Sequence, residues 1–118
     1  MNMHEILKDA RESLKESLEY NAELDDGEVY FSNDDHDTIF EVADSSVPIY
    51  TGDLMQLAAD DINLAVNEPE LGPAFDGSHT PVNIVAANVF EEIQNHLWEC
   101  LEDVKSEIEQ EMLEDSNE

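Results

Sequence analysis

The sequence predicts an all-α fold in which three shorter helices precede one long acidic C-terminal helix. Apolar residues recur every three or four positions in separate blocks. Residues that cap helices precede these blocks, and proline or glycine separates them. The apolar fraction of 41% suffices for a core, and 118 residues suit one domain. We therefore expect a single domain over residues 1–118, with 110–118 as a frayed tail.

The first helix is predicted over residues 3 to about 20. Its apolar side carries Met3, Ile6, Leu7, Ala10, Leu14 and Leu18. A connection rich in turn-forming residues follows, and Asp26-Gly27 marks a reversal of the chain within it. The neighbouring side chains Val29, Tyr30 and Phe31 are expected to reach into the core.

The second helix is predicted to begin after Ser32 or Asn33 as its N-cap. Its first turn is acidic, with Asp34, Asp35 and Asp37. Negative charge is favourable there because it meets the positive end of the helix dipole. The helix should end before Val47-Pro48, since a residue that precedes proline avoids the helical region. Its apolar side would hold Ile39, Phe40, Val42 and Ala43.

The third helix is predicted to begin at Thr51 as its N-cap, with Asp53 in the first turn. Its apolar residues are Leu54, Met55, Leu57, Ala58 and Ala59. Asp60 and Asp61 lie near its end, where acids oppose the helix dipole. We therefore expect these two acids to serve something other than the stability of this helix.

The last helix is predicted to follow a long loop over residues 63–79, with Thr80 as N-cap and Pro81 in the first position. Its core stripe comprises Val85, Val89, Ile93, Leu97, Leu101, Val104, Ile108 and Met112. Through Leu113 such a helix would be about 50 Å long. Trp98 of this helix and Phe40 of the second are expected in the core.

The net charge of the chain is extreme. Asp and Glu number 31 against four Lys and Arg, which gives a formal charge of −27, whereas small soluble domains carry about 2–8 charges. The Lys and Arg residues lie near the ends of the chain, so residues 16–104 hold 22 carboxylates and no Lys or Arg. This excludes nucleic-acid binding, because phosphates repel such a surface. No apolar run is long enough to cross a bilayer, and we expect a cytosolic protein.

The acidic cluster at residues 34–37 raises the question of a metal site. No glycine follows the acid spacing of a calcium-binding EF-hand loop. His36 with Asp37, or His96 with Cys100, would supply only two ligands, whereas a site needs three or four. No nucleophile–base or phosphate-loop motif is present. The sequence predicts no metal, no cofactor and no enzyme, and it gives His36 no role.

Two interpretations of the charge stay open on these grounds. Duplex DNA presents one negative charge per about 1.7 Å of its axis. Helices with repeated carboxylates could imitate it and bind a cationic groove rapidly and in a salt-dependent way. Other acidic interaction modules, a halophilic adaptation or a simply solvated face would have a similar composition.

Two segments carry a more specific pattern. Residues 34–65 read DDHDTIFEVADSSVPIYTGDLMQLAADDINLA, with an Asp-rich helix start, a Val-Pro step and an apolar third helix. Residues 90–112 read FEEIQNHLWECLEDVKSEIEQEM, with Leu-Trp-Glu and Glu-Asp in corresponding places. In this order the segments resemble the Ocr (overcome classical restriction) antirestriction proteins of bacteriophages. The loop over residues 66–79 departs from that pattern.

The resemblance implies an elongated, curved, all-helical homodimer whose carboxylates imitate the phosphates of bent DNA. It implies an inhibitor, not an enzyme, that occupies the DNA groove of type I restriction-modification enzymes in the infected bacterium. Met55 and Ala58 would lie at the dimer seam. The phosphate surrogates would be Asp34, Asp35, Asp37, Glu41, Asp44, Asp53, Asp60, Asp61, Glu91, Glu92, Glu99, Glu102 and Asp103. The alternative is an inhibitor of RNA polymerase, a nucleoid protein or another DNA-handling defence system.

Overall fold

The computed structural model describes residues 2–71 and 78–116, which are mostly helical. The elements are α1 (Met3–Tyr20), β1 (Ala22–Asp25), β2 (Glu28–Phe31), α2 (Asp35–Ser46), α3 (Thr51–Asp60), α4 (Asn63–Val66) and α5 (Pro81–Ser116). Helices α1 and α2 pack against α5 and against each other, and α3 and α4 pack against α5. The described residues extend 53 × 25 × 20 Å. The fold is therefore elongated, with α5 as its axis.

A β-hairpin corrects the all-α prediction. Strands β1 and β2 pair antiparallel and leave Asp26 and Gly27 as a two-residue turn, with φ angles of 52° and 77°. Positive φ at both turn positions is what a type I′ hairpin requires, and Asp-Gly suits it. The reversal was predicted, but the strands were not. As expected, Val29 and Phe31 are half-buried, whereas Tyr30 on the opposite face is 53% exposed.

The long helices α1 and α5 begin where the sequence predicts. The Asn2 side chain caps α1 by accepting a hydrogen bond from the Glu5 N–H at 2.9 Å. Thr80 caps α5, because its hydroxyl accepts from the Asn83 N–H at 3.3 Å. Helix α5 continues through Ser116, so residues 110–116 of the predicted frayed tail are helical. Residues 117–118 lie outside the described part of the chain.

The start of α2 differs from the prediction by one or two residues. Its N-cap is Asp34, not Ser32 or Asn33, and the Asp34 carboxylate accepts from the Asp37 N–H at 3.0 Å. An aspartate cap also places a negative charge at the positive end of the helix dipole. At its other end α2 stops at Ser46, before the Val-Pro step, as predicted.

The region after α2 holds one more helix than predicted. Tyr50, not Thr51, is the N-cap of α3, and the one-turn helix α4 occupies the start of the predicted loop. Asp61 lies in the connection between α3 and α4, where its carboxylate accepts a hydrogen bond from the Asn63 N–H at 3.1 Å. Asp61 therefore has a local structural role that the sequence did not indicate. Residues 72–77 of the predicted loop lie outside the described part.

The core lies between α5 and the helices around it. Buried residues of the predicted α5 stripe are Val85, Val89, Ile93, Leu97, Leu101, Val104 and Ile108, and Met112 packs against them. The placement of Phe40 and Trp98 in the core was wrong, because their side chains are 46% and 40% exposed. Their neighbours Ile39 and Leu97 take the core-facing positions, which leaves both rings at the edge between α2 and α5.

Asn88 of α5 forms hydrogen bonds through its side chain with the end of α4. Its side chain is 6% exposed, and its amide donates to the backbone oxygens of Leu64 at 2.8 Å and Asn67 at 3.1 Å. Carbonyls at the C-terminal end of a helix have no donor within that helix. One side chain therefore satisfies two otherwise unpaired groups and fixes α4 against the axis of the fold.

Candidate functional site

Two cations of α1 are paired with acids near the C-terminal end of α5. Arg11 Nη2 lies 2.9 Å from Glu107 Oε1, and Lys15 Nζ lies 2.8 Å from Glu111 Oε1. The hydrogen bond from Arg11 lowers the pKa of the Glu107 carboxyl, so this acid stays ionised at neutral pH. Exposed pairs of this kind add little stability. Their consequence is that two of the few bases are engaged within the chain.

A third base, Lys105, joins α5 to the start of α2. Its Nζ lies 3.1 Å from the Asp35 carboxylate and 5.5 Å from the centroid of the Phe31 ring, within cation–π range. Asp35 was predicted as a phosphate surrogate, but its charge is balanced by this lysine. The fourth base, Lys8, is exposed on α1.

Most of the predicted surrogates lie on the surface. The exposed ones are Asp34, Asp37, Glu41, Asp44, Asp60, Glu91, Glu92, Glu99, Glu102 and Asp103, whereas Asp35, Asp53 and Asp61 are half-buried. Since the cations nearest to them are held in ion pairs, the exposed carboxylates present an almost uniformly negative surface. The described residues therefore bring ten of the thirteen predicted acids to solvent.

The exposed acids of α2 and α5 form rows. On α2 they stand at positions 34, 37, 41 and 44, the spacing of one helix side, over about 15 Å. On α5, positions 92, 99 and 103 share one side, and positions 91 and 102 form the adjoining row. Helix α2 packs against α5. The rows therefore lie on two helices that contact each other.

Glu92 on α5 lies near Asp61, which joins α3 to α4. Partial burial raises the pKa of the Glu92 carboxyl, and the neighbouring Asp61 charge raises it further. Like charges held this close destabilise a fold, because each resists ionisation of the other. The Asp61 charge therefore opposes ionisation of Glu92.

The linear charge density of the described residues approaches that of DNA. Asp76 and Glu118 lie outside them, which leaves a formal net charge of −25 out of the −27 of the whole sequence. Dividing the 53 Å long axis by 25 gives about 2.1 Å per net charge. The corresponding spacing in duplex DNA is about 1.7 Å.

The described part of the chain has neither a metal-binding cluster nor a membrane-spanning helix. Within residues 2–71 and 78–116, no three or more His, Cys, Asp or Glu side chains are grouped so that they could hold a metal ion. No helix in those ranges has the length and apolarity needed to cross a membrane. His36, in the acidic cluster, instead contacts the Trp98 ring, with ring centroids 4.8 Å apart.

A family model described as DNA mimic ocr matches residues 1–106. This chain belongs to the ocr family. The match spans α1, the hairpin, α2, α3, α4 and most of α5. It confirms the resemblance to this family, and it includes residues 34–65 and the part of the second segment over residues 90–106. As an ocr-family protein the chain is a DNA mimic with an antirestriction role, and proteins that bind DNA are its class of partner.

Some features of this ocr-family surface were not found from the sequence. The pairing of His36 with Trp98, and of Phe40 with Phe90 at 5.3 Å, places four rings at the contact between α2 and α5. The spacing of His36 and Phe40 by four residues puts them on one side of α2. Only the packing of α2 on α5 shows which rings they meet.

Proposed function

We propose that this ocr-family protein is a non-catalytic inhibitor that occupies the DNA-binding groove of type I restriction-modification enzymes. It would act in the cytoplasm of the infected bacterium and protect phage DNA. The observation that carries the proposal is the charge density of about one net charge per 2.1 Å over a 53 Å axis. The DNA-binding groove of such an enzyme carries Lys and Arg that pair with phosphates along the duplex. The carboxylates of this protein would offer these side chains negative charge at a similar density.

The inhibition we propose arises from the sum of many weak contacts. The ten exposed acids of the predicted set are the main surrogates, on α2, α5 and the end of α3. Asp35 contributes least, because Lys105 balances its charge. Such a surface attracts a cationic groove over long range and binds it with strong salt dependence. No cofactor is needed for this mechanism.

We also propose a homodimer in which α3 lies at the interface, with Met55 and Ala58 in or near the contact. Large exposed apolar side chains are frequent in this part of the chain: Ile49 is 85% exposed, Tyr50 70%, Met55 36%, Ile62 65% and Val66 63%. Exposed apolar surface of this kind favours association. Ala58 is only 8% exposed in the single chain, so it would contribute little buried area to the dimer interface.

Sedimentation velocity tests the dimer. We expect a species of twice the 13.3 kDa chain mass at concentrations that inhibit, and we expect its population to rise with salt. Salt should favour it because two copies, each of formal charge −27, repel each other less when screened. A 13.3 kDa species alone under inhibiting conditions would contradict the dimer and leave the charge mimicry standing.

A competition titration identifies the partner. Labelled duplex DNA is bound to a purified type I restriction-modification enzyme at low salt, and the protein is added. We expect release of the duplex and loss of cleavage. RNA polymerase and a nucleoid protein, each on labelled duplex, are titrated in parallel. Release from one of these, with none from the type I enzyme, would contradict the proposed target and support the alternative partner.

A further inference from the structure

Four aromatic side chains line the contact between α2 and α5. The rings of His36 and Trp98 lie 4.8 Å apart at an interplanar angle of 60°, and those of Phe40 and Phe90 lie 5.3 Å apart at 72°. We call these four residues the aromatic seam. Both pairs have edge-to-face geometry, which stabilises aromatic pairs beyond the area they bury. The seam is therefore a built feature of the packing.

The seam is accessible from solvent although it lies at a helix contact. Trp98 is 40% exposed and Phe40 46% exposed, and His36 is exposed as well. Trp98 is the single tryptophan of the chain. Both rings lie outside the core because Ile39 and Leu97 take the core-facing positions of the two helices.

Carboxylates border the seam on both sides. On α2, the exposed Asp37 and Glu41 directly follow His36 and Phe40 in the sequence, about 100° around the helix from them. On α5, the exposed Glu91 and Glu102 stand seven residues before and four residues after Trp98, which places them on the same side of the helix as the ring. We therefore expect a group bound at the seam to touch ring surface and to lie near acids of both helices.

One side chain fits this combination best. The arginine guanidinium is planar, stacks on aromatic rings, is weakly hydrated and donates hydrogen bonds in a fork that matches a carboxylate. A lysine ammonium would gain from the acids but stacks less well and is more strongly hydrated. A nucleobase would stack, but its phosphates would be repelled. An uncharged apolar segment would make no use of the acids.

We propose that the aromatic seam is an arginine-binding site, which receives guanidinium groups from the DNA-binding groove of the partner. The inference rests on the proposed function, because that function supplies a partner whose groove carries Arg and Lys. It adds a contact that duplex phosphates lack: a stacking surface between rows of negative charge. The seam therefore adds a stacking contribution to the affinity that the carboxylates alone would provide.

Substitution of Trp98 tests this proposal against a type I enzyme. We expect Trp98→Ala to weaken binding about tenfold, within the range for cation–π contacts that lose water, and Trp98→Phe to restore most of it. Neither variant changes a charge, so the slope of log affinity against log salt should stay as in the parent protein. The matched control is Tyr30→Ala, which removes a ring 53% exposed on the hairpin and should bind like the parent.

Fluorescence of Trp98 provides a second test that does not need the enzyme. The protein is titrated with oligoarginine and with oligolysine of equal length, and binding is followed separately by a label on the peptide. We expect oligoarginine to change Trp98 emission at the concentration at which it binds, and oligolysine to bind with a much smaller change. Phe40→Ala should reduce the arginine-specific change.

The outcomes separate this site from the proposed function. Equal emission changes with both peptides, or unaltered enzyme binding by a folded Trp98→Ala variant, would overturn the arginine site while the parent protein still displaced duplex DNA. Failure of the parent protein to displace duplex DNA would overturn the proposed function instead. Circular dichroism melts of each variant establish that it is folded before binding is compared.

Discussion

Removal of four carboxylates from α5 is expected to weaken binding to a type I enzyme about 100- to 1,000-fold at low salt. The variant carries Glu91→Gln, Glu99→Gln, Glu102→Gln and Asp103→Asn, all at exposed positions. A charge pair at contact distance in water is worth about 1 kcal/mol, and four such losses approach three factors of ten. Any single one of these substitutions should cost about fivefold or less.

A second set of four substitutions controls for the change in net charge. Glu5→Gln, Asp9→Asn, Glu12→Gln and Glu16→Gln neutralise exposed acids of α1 and raise the net charge by the same four units. We expect this variant to lose much less affinity, because α1 lies outside the acid rows. Binding is measured by fluorescence anisotropy of labelled protein at several salt concentrations.

The salt series shows whether the α5 acids are neutralised by charges of the enzyme in the complex. The α5 variant should show a shallower fall of log affinity with log salt than the parent, since fewer charges are neutralised in the complex. Loss of all inhibition by one substitution, for instance Asp37→Asn, would indicate a discrete site in place of a distributed surface. Equal losses in the α1 and α5 variants would show that only total charge matters.

Asn88→Asp is expected to destabilise the fold by about 3–5 kcal/mol, the cost typical of an uncompensated buried charge. The Asn88 amide donates to the backbone oxygens of Leu64 and Asn67. A carboxylate at this position has no N–H to donate, and its negative oxygens would be repelled by these carbonyl oxygens. Glu91 and Glu92 follow at three and four residues, which places further negative charge on the same side of α5. Each of these effects lowers the free energy of unfolding.

The matched control for this substitution is Asn95→Asp. It adds the same charge to the same helix at an exposed position and should change the free energy of unfolding by about 0.5 kcal/mol or less. Urea unfolding followed by circular dichroism measures both variants. A loss below about 1 kcal/mol in Asn88→Asp would show that α4 is not held to α5 through this amide.

The start of α5 and the end of α2 were predictable because their signals are local, whereas the N-caps of α2 and α3 were not. Thr80 and Pro81 supply a cap and a first residue for α5, and Val47-Pro48 ends α2, whatever the rest of the chain does. The hairpin was missed although Asp26-Gly27 was seen as a reversal. Its strands have four residues each, too few for a pattern of alternation to stand out, and Tyr30 interrupts it.

The contacts that shape the candidate site could not be predicted, because they join distant parts of the chain. Arg11 and Glu107 are 96 residues apart, and Asp35 and Lys105 are 70 residues apart. Their pairing decides which bases are engaged within the chain. The exposure of most acids followed from helical periodicity, but the position of Trp98 depended on how α2 lies on α5.

The most direct test of the charge mimicry is equilibrium competition between this protein and duplex DNA for one type I enzyme across a salt series. We expect full displacement of the duplex near 50 mM salt. Between 50 and 200 mM we expect the affinity of the protein to fall steeply, as that of duplex DNA does by about 10³- to 10⁵-fold with 6–10 phosphate contacts. No displacement at low salt, or an affinity that does not change with salt, would contradict mimicry of the DNA backbone.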